Sequence, residues 1–437
     1  MIKVVVPNIT PRLSYTFDFI FKEVLGVEYA FYIYSPDLEN SDEPVIFYLH
    51  EPNLQHGIPI FPEGLLFETG LRDNTIEIGH LAEKVIKLTK DEITISHADI
   101  FSFIFFCISR YEEYLPHTKD KHGRYLYTES LSFKKDFLER ALVDECIILL
   151  KKSILKLYPH FNFPTVSGFE LFSTVDIDQI WAYANKGWKN IWGCIRDLTR
   201  LNIFSFRRRL KAWRNEAVDP FSSYPLIENL HKKNKIKLQF FVLLANKTGK
   251  YDKNHDLNEP NFIKKLNLLS ESYEMGIHPS YESNRQPHLV LTEKATLENI
   301  ILKQVIHSRQ HFLKVNLPET YYSLIDAGIR VDYSMGYADV IGYKASTGHH
   351  FFWYDLKKEQ RTTLCIKPFQ IMDVTLKNYM HLDAQQAIKR TSSLINYAKS
   401  IESPIGIVWH NSSLDEEGDW KGWVAVYEHL LTFSKKK

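Results

Sequence analysis

The chain has 437 residues, of which 44% are hydrophobic and 24% are charged. A chain of this length exceeds one typical hydrophobic core, so two domains are expected. Its 54 basic and 53 acidic residues leave a formal net charge of +1, which argues against nucleic acid as a partner.

The cysteines and the apolar runs indicate a soluble protein of a reducing compartment. The four cysteines lie far apart and form no C-x-x-C pair, which is typical of free thiols. The opening segment MIKVVVPNIT is shorter than the core of a signal peptide, and the apolar run FSFIFFCIS is too short to cross a bilayer. We therefore predict a cytoplasmic protein with no transmembrane segment.

The first part of the chain mixes short strand-like runs with longer helical stretches. VVV, EYAFYIYS and PVIFYLH have the length and composition of strands, whereas FLERALVDECIILLKKSILKLY repeats its apolar residues every three or four positions. The segment LYPHFNFPTVSG, which contains two prolines and a glycine, ends this region. The pattern predicts an α+β domain over residues 1–165 and a second domain over residues 166–437.

The second part alternates apolar runs with amphipathic stretches. Runs such as ELFSTVDID, IKLQFFVLL, EMGIHPS and PIGIVWHNS begin or end at polar residues, and helical segments lie between several of them. Strands that alternate with helices predict an α/β fold with a parallel sheet, and the length suits a (β/α) barrel. In such barrels the carboxyl ends of the strands carry the chemistry, and these ends are rich in aspartate and histidine.

An insertion at about residues 185–234 interrupts this rhythm. It is rich in tryptophan and contains the basic string RRRLKAWR, Arg207 to Arg214. We favour a helical excursion with a solvated basic face over the alternatives, which are a lid or a contact with an anionic surface.

The stretch STVDID places two carboxylates, Asp176 and Asp178, at the end of an apolar run. On an extended chain both side chains lie on one face, where two ionised carboxylates repel unless a cation lies beside them. The pair alone is more typical of a polar strand end than of a metal site. His278 makes a metal site more plausible, because it ends a further strand-like run and Pro279 restrains the backbone just after it.

Five short segments, in this order, resemble the motifs of the NodB-homology polysaccharide deacetylases. They are STVDID, IHPSY, SRQHF, QIMDVT and IVWHNS. The segments FSFIFFCISRYEEY and AGIRVDYSMGYADVIGYKASTG extend the resemblance to an uncharacterised bacterial branch whose members carry an extra N-terminal domain. The resemblance covers nearly the whole chain and implies a distorted, NodB-like (β/α) barrel over residues 166–437, preceded by the smaller α+β domain.

The resemblance also implies an activity, namely hydrolysis of an N-acetyl group from an aminosugar with the help of a divalent metal, most often zinc. A metal polarises the amide carbonyl and its bound water, a carboxylate takes the proton, and an acid protonates the departing amine. Carried over by position, Asp176 is the base, Asp178 and His278 are metal ligands, and His410 is the acid.

Two further catalytic roles rest on the same resemblance. Arg309 would hold Asp176 by a charge-assisted hydrogen bond and keep it ionised near neutral pH. Asp373 would raise the basicity of His410, so that the imidazole is protonated when the amine departs.

The chain departs from the family at the third metal ligand. The second motif of the family has two histidines four residues apart, but no second histidine accompanies His278. Catalytic zinc usually keeps three protein ligands, so Asp178 and His278 would be one short. His311, two residues past Arg309, and Glu282, four residues past His278, are the candidates, and we favour His311.

The substrate contacts and the function leave alternatives open. Asp332, Tyr337 and Lys344 could contact the sugar, although a turn and a solvated lysine are the simpler roles of the first and last. A metal-dependent hydrolase of a non-sugar amide remains possible, as does a catalytically inactive barrel that binds carbohydrate or serves in an assembly. The expected partner is a carbohydrate substrate, and the sequence leaves the oligomeric state open.

Overall fold

The computed structural model describes residues 1–50, 56–73, 75–91, 95–165 and 168–433. The chain divides into two compact units. The first comprises Met1–Glu170, Gly342–Pro368 and Tyr397–Pro404, and the second comprises Leu171–Ile341, Phe369–Asn396 and Ile405–Lys437. The predicted domain boundary lies between residues 165 and 166, and residues 166–167 lie outside the described residues.

The first unit takes up two late segments of the chain that the sequence analysis assigns to the second domain. Asp144 accounts for this, because its buried carboxylate accepts hydrogen bonds from the backbone of Gly348 at 3.1 Å and from the hydroxyl of Ser403 at 2.5 Å. A buried carboxylate must be satisfied by hydrogen bonds, and both late segments supply them.

A four-stranded parallel sheet organises the first unit. Its strands are β1 (Ile2–Val5), β2 (Tyr29–Tyr32), β3 (Val45–Tyr48) and β4 (Ile58–Ile60), and the helices of this region are α1 (Pro11–Phe17), α2 (Thr75–Asp91), α3 (Ile100–Ile108), α4 (Leu131–Lys134) and α5 (Leu142–Leu157). The strand order is β2-β1-β3-β4, and each pair runs parallel. The connections between these strands therefore cross over rather than turn back as hairpins.

The second unit is an α/β structure with a parallel sheet, as its sequence pattern predicts. Its strands are β5 (Leu171–Ile177), β6 (Leu238–Val242), β7 (Glu274–Ile277), β8 (His307–Ser308), β9 (Val331–Asp332), β12 (Ile371–Met372) and β13 (Ile405–His410), whereas β10 (Phe351–Asp355) and β11 (Gln360–Ile366) form an antiparallel hairpin in the first unit. The parallel order is β9-β8-β7-β6-β5-β13-β12.

Helices connect these strands. They are α6 (Trp188–Thr199), α7 (Ile203–Arg214), α8 (Tyr224–Asn234), α9 (Pro260–Ser272), α10 (His288–Ile301), α11 (Glu319–Asp326), α12 (Ala384–Ser400) and α13 (Trp423–Phe433). Within the predicted insertion, α6 and α7 form the excursion, while α8 buries Tyr224, Ile227 and Leu230 and so belongs to the packed fold. Among the described residues, no helix combines the length and apolar character needed to span a bilayer.

The parallel sheet is strongly curved. The ring centroids of Phe172 on β5 and Tyr333, the residue after β9, lie 6.3 Å apart. Three strands separate β5 from β9 in the sheet order, and in a flat sheet with a spacing of about 4.8 Å they would lie about 19 Å apart. The sheet therefore curls so that the side chains of β5 and of the end of β9 meet.

Candidate metal and catalytic site

The register of neighbouring strands assembles the candidate site at the carboxyl edge of the sheet. Ile177, Val242, Ile277 and Ser308 pair across β5 to β8, so the residues that follow them leave the sheet side by side. The ladder continues past β8, because the backbone N–H of His311 donates to the carbonyl of Pro279 at 3.1 Å. This continuation places His311 beside the strand end that carries His278.

Three side chains converge where a metal could bind. Asp178 Oδ1 lies 3.5 Å from His278 Nε2 and 3.7 Å from His311 Nε2. One potential ligand atom from each residue lies within 4.8 Å of the others. The structure thus brings together the three residues that the sequence analysis favours as ligands, whereas the side chain of Glu282, the alternative, is exposed.

Both imidazoles are oriented by hydrogen bonds at Nδ1. His278 Nδ1 lies 2.5 Å from the backbone carbonyl of Arg309, and His311 Nδ1 lies 2.8 Å from Asp252 Oδ1. Because a carbonyl and a carboxylate only accept hydrogen bonds, each Nδ1 donates a proton to its partner, and Nε2 is the nitrogen that faces Asp178. Metal-bound histidines are commonly held in this way by a carbonyl or carboxylate.

The donor set fits a divalent metal. Asp178 Oδ1 is buried and has no hydrogen-bond partner among the described residues. Burial by itself would raise the pKa of the Asp178 carboxyl, but the nearby imidazoles of His311 and His278 hold that pKa well below its usual range. One carboxylate oxygen and two imidazole nitrogens form a set that suits zinc and leaves room for a fourth ligand.

Asp176 lies directly beside these ligands. Its Oδ1 accepts a hydrogen bond of 2.6 Å from Arg309 Nη1, and its Oδ2 lies 3.9 Å from His278 Nε2. Arg309 is fully buried, and its guanidinium also donates through Nε to the carbonyl of Tyr333 at 3.1 Å. The charge-assisted pair holds one oxygen of Asp176 and leaves the other on the side of the metal ligands.

His410 forms the second acid–base pair of the site. It ends β13, in register with Asp176 on β5. Asp373 accepts from His410 twice, from the backbone N–H at 2.8 Å and from Nδ1 at 2.8 Å. Burial lowers the pKa of His410, but the Asp373 carboxylate and the other aspartates of the site raise it to about 10. The imidazole therefore carries a proton at neutral pH.

The three predicted substrate contacts, Asp332, Tyr337 and Lys344, are all buried. Asp332 is fully buried and accepts hydrogen bonds from the hydroxyls of Ser308 and Ser334 at 2.9 and 2.8 Å, which is the turn role open to it. Tyr337 is buried. Lys344 belongs to the first unit, where its buried ammonium lies 3.3 Å from Glu113 Oε1. Contact of these three residues with a sugar stays a prediction.

Asp252 is a functional candidate that the sequence analysis misses. It lies in the loop after β6, is buried, and accepts hydrogen bonds of 2.8 Å both from His311 and from the backbone N–H of Tyr281. Burial opposes its ionisation, yet these hydrogen bonds lower the pKa of its carboxyl. Its only sequence signal is its position after β6, the strand between β5 and β7.

Comparisons with known proteins give limited similarity. Residues 2–159 match a family of unknown function, DUF7033. No curated protein matches the chain. Among solved structures, the chain is similar to a Mycobacterium smegmatis protein described as a polysaccharide deacetylase, with 10% identity, a TM-score of 0.41, and coverage of 63% of this chain and 87% of that one.

Two further solved structures have a comparable similarity. One is the polysaccharide deacetylase Bc1974 from Bacillus cereus, with 11% identity, a TM-score of 0.31, and coverage of 61% of this chain and 87% of that one. The other is a mutant of BA3943, a CE4 family pseudoenzyme with restored activity, with 11% identity, a TM-score of 0.30, and coverage of 65% and 76%. Similarity at these TM-scores does not support a functional assignment, so the proposal below is based on the side chains of the site.

Proposed function

We propose that this protein is a metal-dependent hydrolase that removes an N-acetyl group from an aminosugar of a polysaccharide or glycoconjugate. The convergence of Asp178, His278 and His311 beside Asp176 and His410 is the observation that carries the proposal. The set combines ligands for a metal with a carboxylate and a protonated imidazole, which are the groups that amide hydrolysis needs.

The proposed metal is zinc, held by Asp178, His278 and His311. When bound, it would polarise the amide carbonyl and lower the pKa of a water molecule. Asp176 would accept the proton of that water through Oδ2, since Arg309 occupies Oδ1. His410 would donate a proton from Nε2 to the departing amine, because Asp373 holds its Nδ1.

We further propose that the curved sheet closes into a distorted barrel. The backbone N–H of Phe369, just before β12, donates to the carbonyl of Met335, just after β9, at 3.0 Å. The guanidinium of Arg309, which follows β8, lies 4.7 Å from the ring centroid of Phe241 on β6 and 5.7 Å from that of Phe369, just before β12. Contacts between the two outermost parts of the parallel sheet are the contacts that closure requires.

The cytoplasm is the proposed location of the protein. Its four cysteines are all free thiols, and two of them, Cys107 and Cys146, are buried. Burial raises the pKa of both thiols, so they are inert packing groups that suit a reducing compartment.

A deacetylation assay with metal analysis tests the proposed function. Purified protein is loaded with zinc, its bound metal is measured, and acetate release from N-acetylglucosamine oligomers is compared between wild type and Asp176→Asn. We expect a stoichiometric metal in both proteins and a loss of acetate release of at least about 100-fold in the variant. Glu282→Gln, whose side chain is exposed, is the matched control and should behave as the wild type.

Two outcomes would contradict the proposal. Protein that takes up no metal and releases no more acetate than Asp176→Asn would favour the inactive carbohydrate-binding alternative. Metal-bound protein that hydrolyses a non-sugar amide but leaves N-acetylglucosamine oligomers intact would favour the other enzyme class.

A further inference from the structure

Helices α6 and α7 form a hairpin, residues 186–214, in which several large apolar side chains are exposed. Trp188 is 78% exposed and Trp192 is 70% exposed, and Ile195 is also exposed. Their spacing of four and three residues places all three side chains on one face of α6. Tryptophan is highly buried on average, so this face lacks the cover that such side chains normally have.

The polar face of α6 is the buried one. Asn190, Gly193 and Asp197 are the buried residues of this helix. Arg209 of α7 donates to Asp197 Oδ2 at 2.9 Å and to Asn190 Oδ1 at 3.4 Å. A Cβ atom at Gly193 would lie only 2.4 Å from the guanidinium of Arg209. A buried polar network with a close approach at glycine therefore holds the apolar face of α6 outward.

The turn between the helices and α7 itself extend the apolar surface. Leu201 in the turn is 83% exposed, and Ile203, Phe204 and Trp213 of α7 are also exposed. Large exposed apolar surfaces with a polar rim mark interaction sites on soluble proteins.

The charge of the hairpin is strongly positive. Residues 186–214 contain nine basic residues and one acidic residue, Asp197, so the segment carries 9 − 1 = +8, whereas the whole chain carries +1. Asp197 is buried against Arg209 and contributes no exposed negative charge. The exposed basic side chains are Lys189, Arg196, Arg200, Arg207, Lys211 and Arg214.

We propose that the α6–α7 hairpin docks on the surface of a lipid bilayer that contains anionic lipids. Trp188 and Trp192 would lie at the boundary between headgroups and acyl chains, and the exposed arginines and lysines would contact anionic headgroups. An amphipathic helix with tryptophan on its apolar face and basic residues on its flanks has the composition of such an anchor. A second copy of the chain is a poorer occupant, because two hairpins of charge +8 would repel.

The base of the hairpin is tied to the edge of the sheet that carries the candidate site. Asp219 accepts hydrogen bonds of 2.7 to 2.9 Å from the backbone N–H groups of residues 182–184, in the segment that leads from Asp178 into α6. Arg208 of α7 donates to Asp415, in the loop after His410, at 2.5 Å. Docking through the hairpin would thus hold this edge of the second unit close to the membrane.

Vesicle binding tests the proposal. Co-sedimentation is measured with vesicles of equal phosphatidylglycerol and phosphatidylcholine and with vesicles of phosphatidylcholine alone, for wild type and for Trp188→Ser/Trp192→Ser. We expect wild type to bind the anionic vesicles and the double variant to bind roughly ten-fold or more weakly. Leu268→Ser, which removes a 56% exposed apolar side chain of α9 in the same unit, is the matched control and should bind as wild type.

Charge-reversal variants test the electrostatic contribution to vesicle binding. Arg196→Glu/Arg200→Glu should reduce binding to anionic vesicles and weaken its dependence on salt, whereas Lys264→Glu, at an exposed position on α9, should not. Circular dichroism checks that each variant is folded, which is expected because the changed side chains are exposed.

Three results would overturn the proposal. The first is failure of wild type to bind anionic vesicles at low salt, and the second is binding of Trp188→Ser/Trp192→Ser as tight as that of wild type. The third is self-association of wild type in sedimentation velocity that Trp188→Ser/Trp192→Ser abolishes, which would assign the apolar face to a second copy of the chain.

Discussion

The hydrogen bond between Asp252 and His311 should influence the zinc affinity of the proposed metal site. Asp252 Oδ1 accepts from His311 Nδ1 and from the backbone of Tyr281, both at 2.8 Å. Asp252→Asn keeps the shape of the side chain and one acceptor oxygen, but it removes the negative charge. If His311 is the third ligand, this change weakens its hold on the metal without removing a ligand.

The expected magnitude follows from the kind of hydrogen bond. A bond to a charged group contributes about 1.5 to 3 kcal/mol, whereas a neutral one contributes about 1 kcal/mol. A loss of about 1.4 kcal/mol corresponds to a ten-fold change, so Asp252→Asn should lower zinc affinity about ten-fold. Asp252→Ala removes the acceptor altogether. Its zinc affinity should fall by up to about 100-fold, the upper end of the loss expected when the hydrogen-bond partner of a metal-bound histidine is removed.

Competition with a chromogenic zinc chelator at fixed pH and ionic strength measures these affinities. Glu282→Gln is the control, since its exposed side chain should leave the affinity unchanged. The reasoning fails if both Asp252 variants bind zinc as tightly as wild type. A weaker affinity in Glu282→Gln alone would make Glu282 the third ligand instead.

Three further predictions concern the buried ionisable groups. In Asp373→Asn the pKa of His410 should fall from about 10 towards 6.5. The variant should therefore lose activity at a lower pH than wild type as the pH is raised. An unchanged pH–rate profile would exclude His410 as the acid. Arg309→Met leaves the Asp176 carboxylate buried without its ion pair and should lower the free energy of unfolding by about 3 to 5 kcal/mol in urea denaturation, and a change below about 1 kcal/mol would contradict this. Burial raises the pKa of Glu293 from 4.5 to about 7 in the folded protein. Wild type should therefore lose stability as the pH rises through this range, and Glu293→Gln should remove that loss. If the prediction is wrong, the melting temperatures of the two proteins will depend on pH in the same way between pH 5 and pH 8.

The local pattern of the sequence predicts the parallel sheet of the second unit and the polar residues at its edge. The apolar runs before Asp178, His278 and His410 are strands, and each polar residue comes at or just after the carboxyl end of its strand. Periodicity and strand order suffice for this, because neighbouring parallel strands end at the same edge.

Other features depend on contacts between residues that are distant along the chain. The first unit includes two late segments because Asp144 bonds to Gly348, 204 residues away. The ammonium of Lys344 lies 3.3 Å from Glu113 Oε1, a carboxylate from a distant part of the sequence. Asp252 follows no recognisable motif, and only the course of its loop brings it to His311. No local signal in the sequence encodes such pairings.

The position of His311 has a consequence for how sites of this kind are found. In the motif that IHPSY resembles, both histidine ligands follow one strand, whereas the two histidines proposed as ligands here follow β7 and β8. Because parallel strand ends are neighbours, a ligand can move from one loop to the next while the metal keeps its place. Searches that require two histidines at a fixed spacing would pass over such proteins. Searches for complementary ligands on adjacent strand ends would find them.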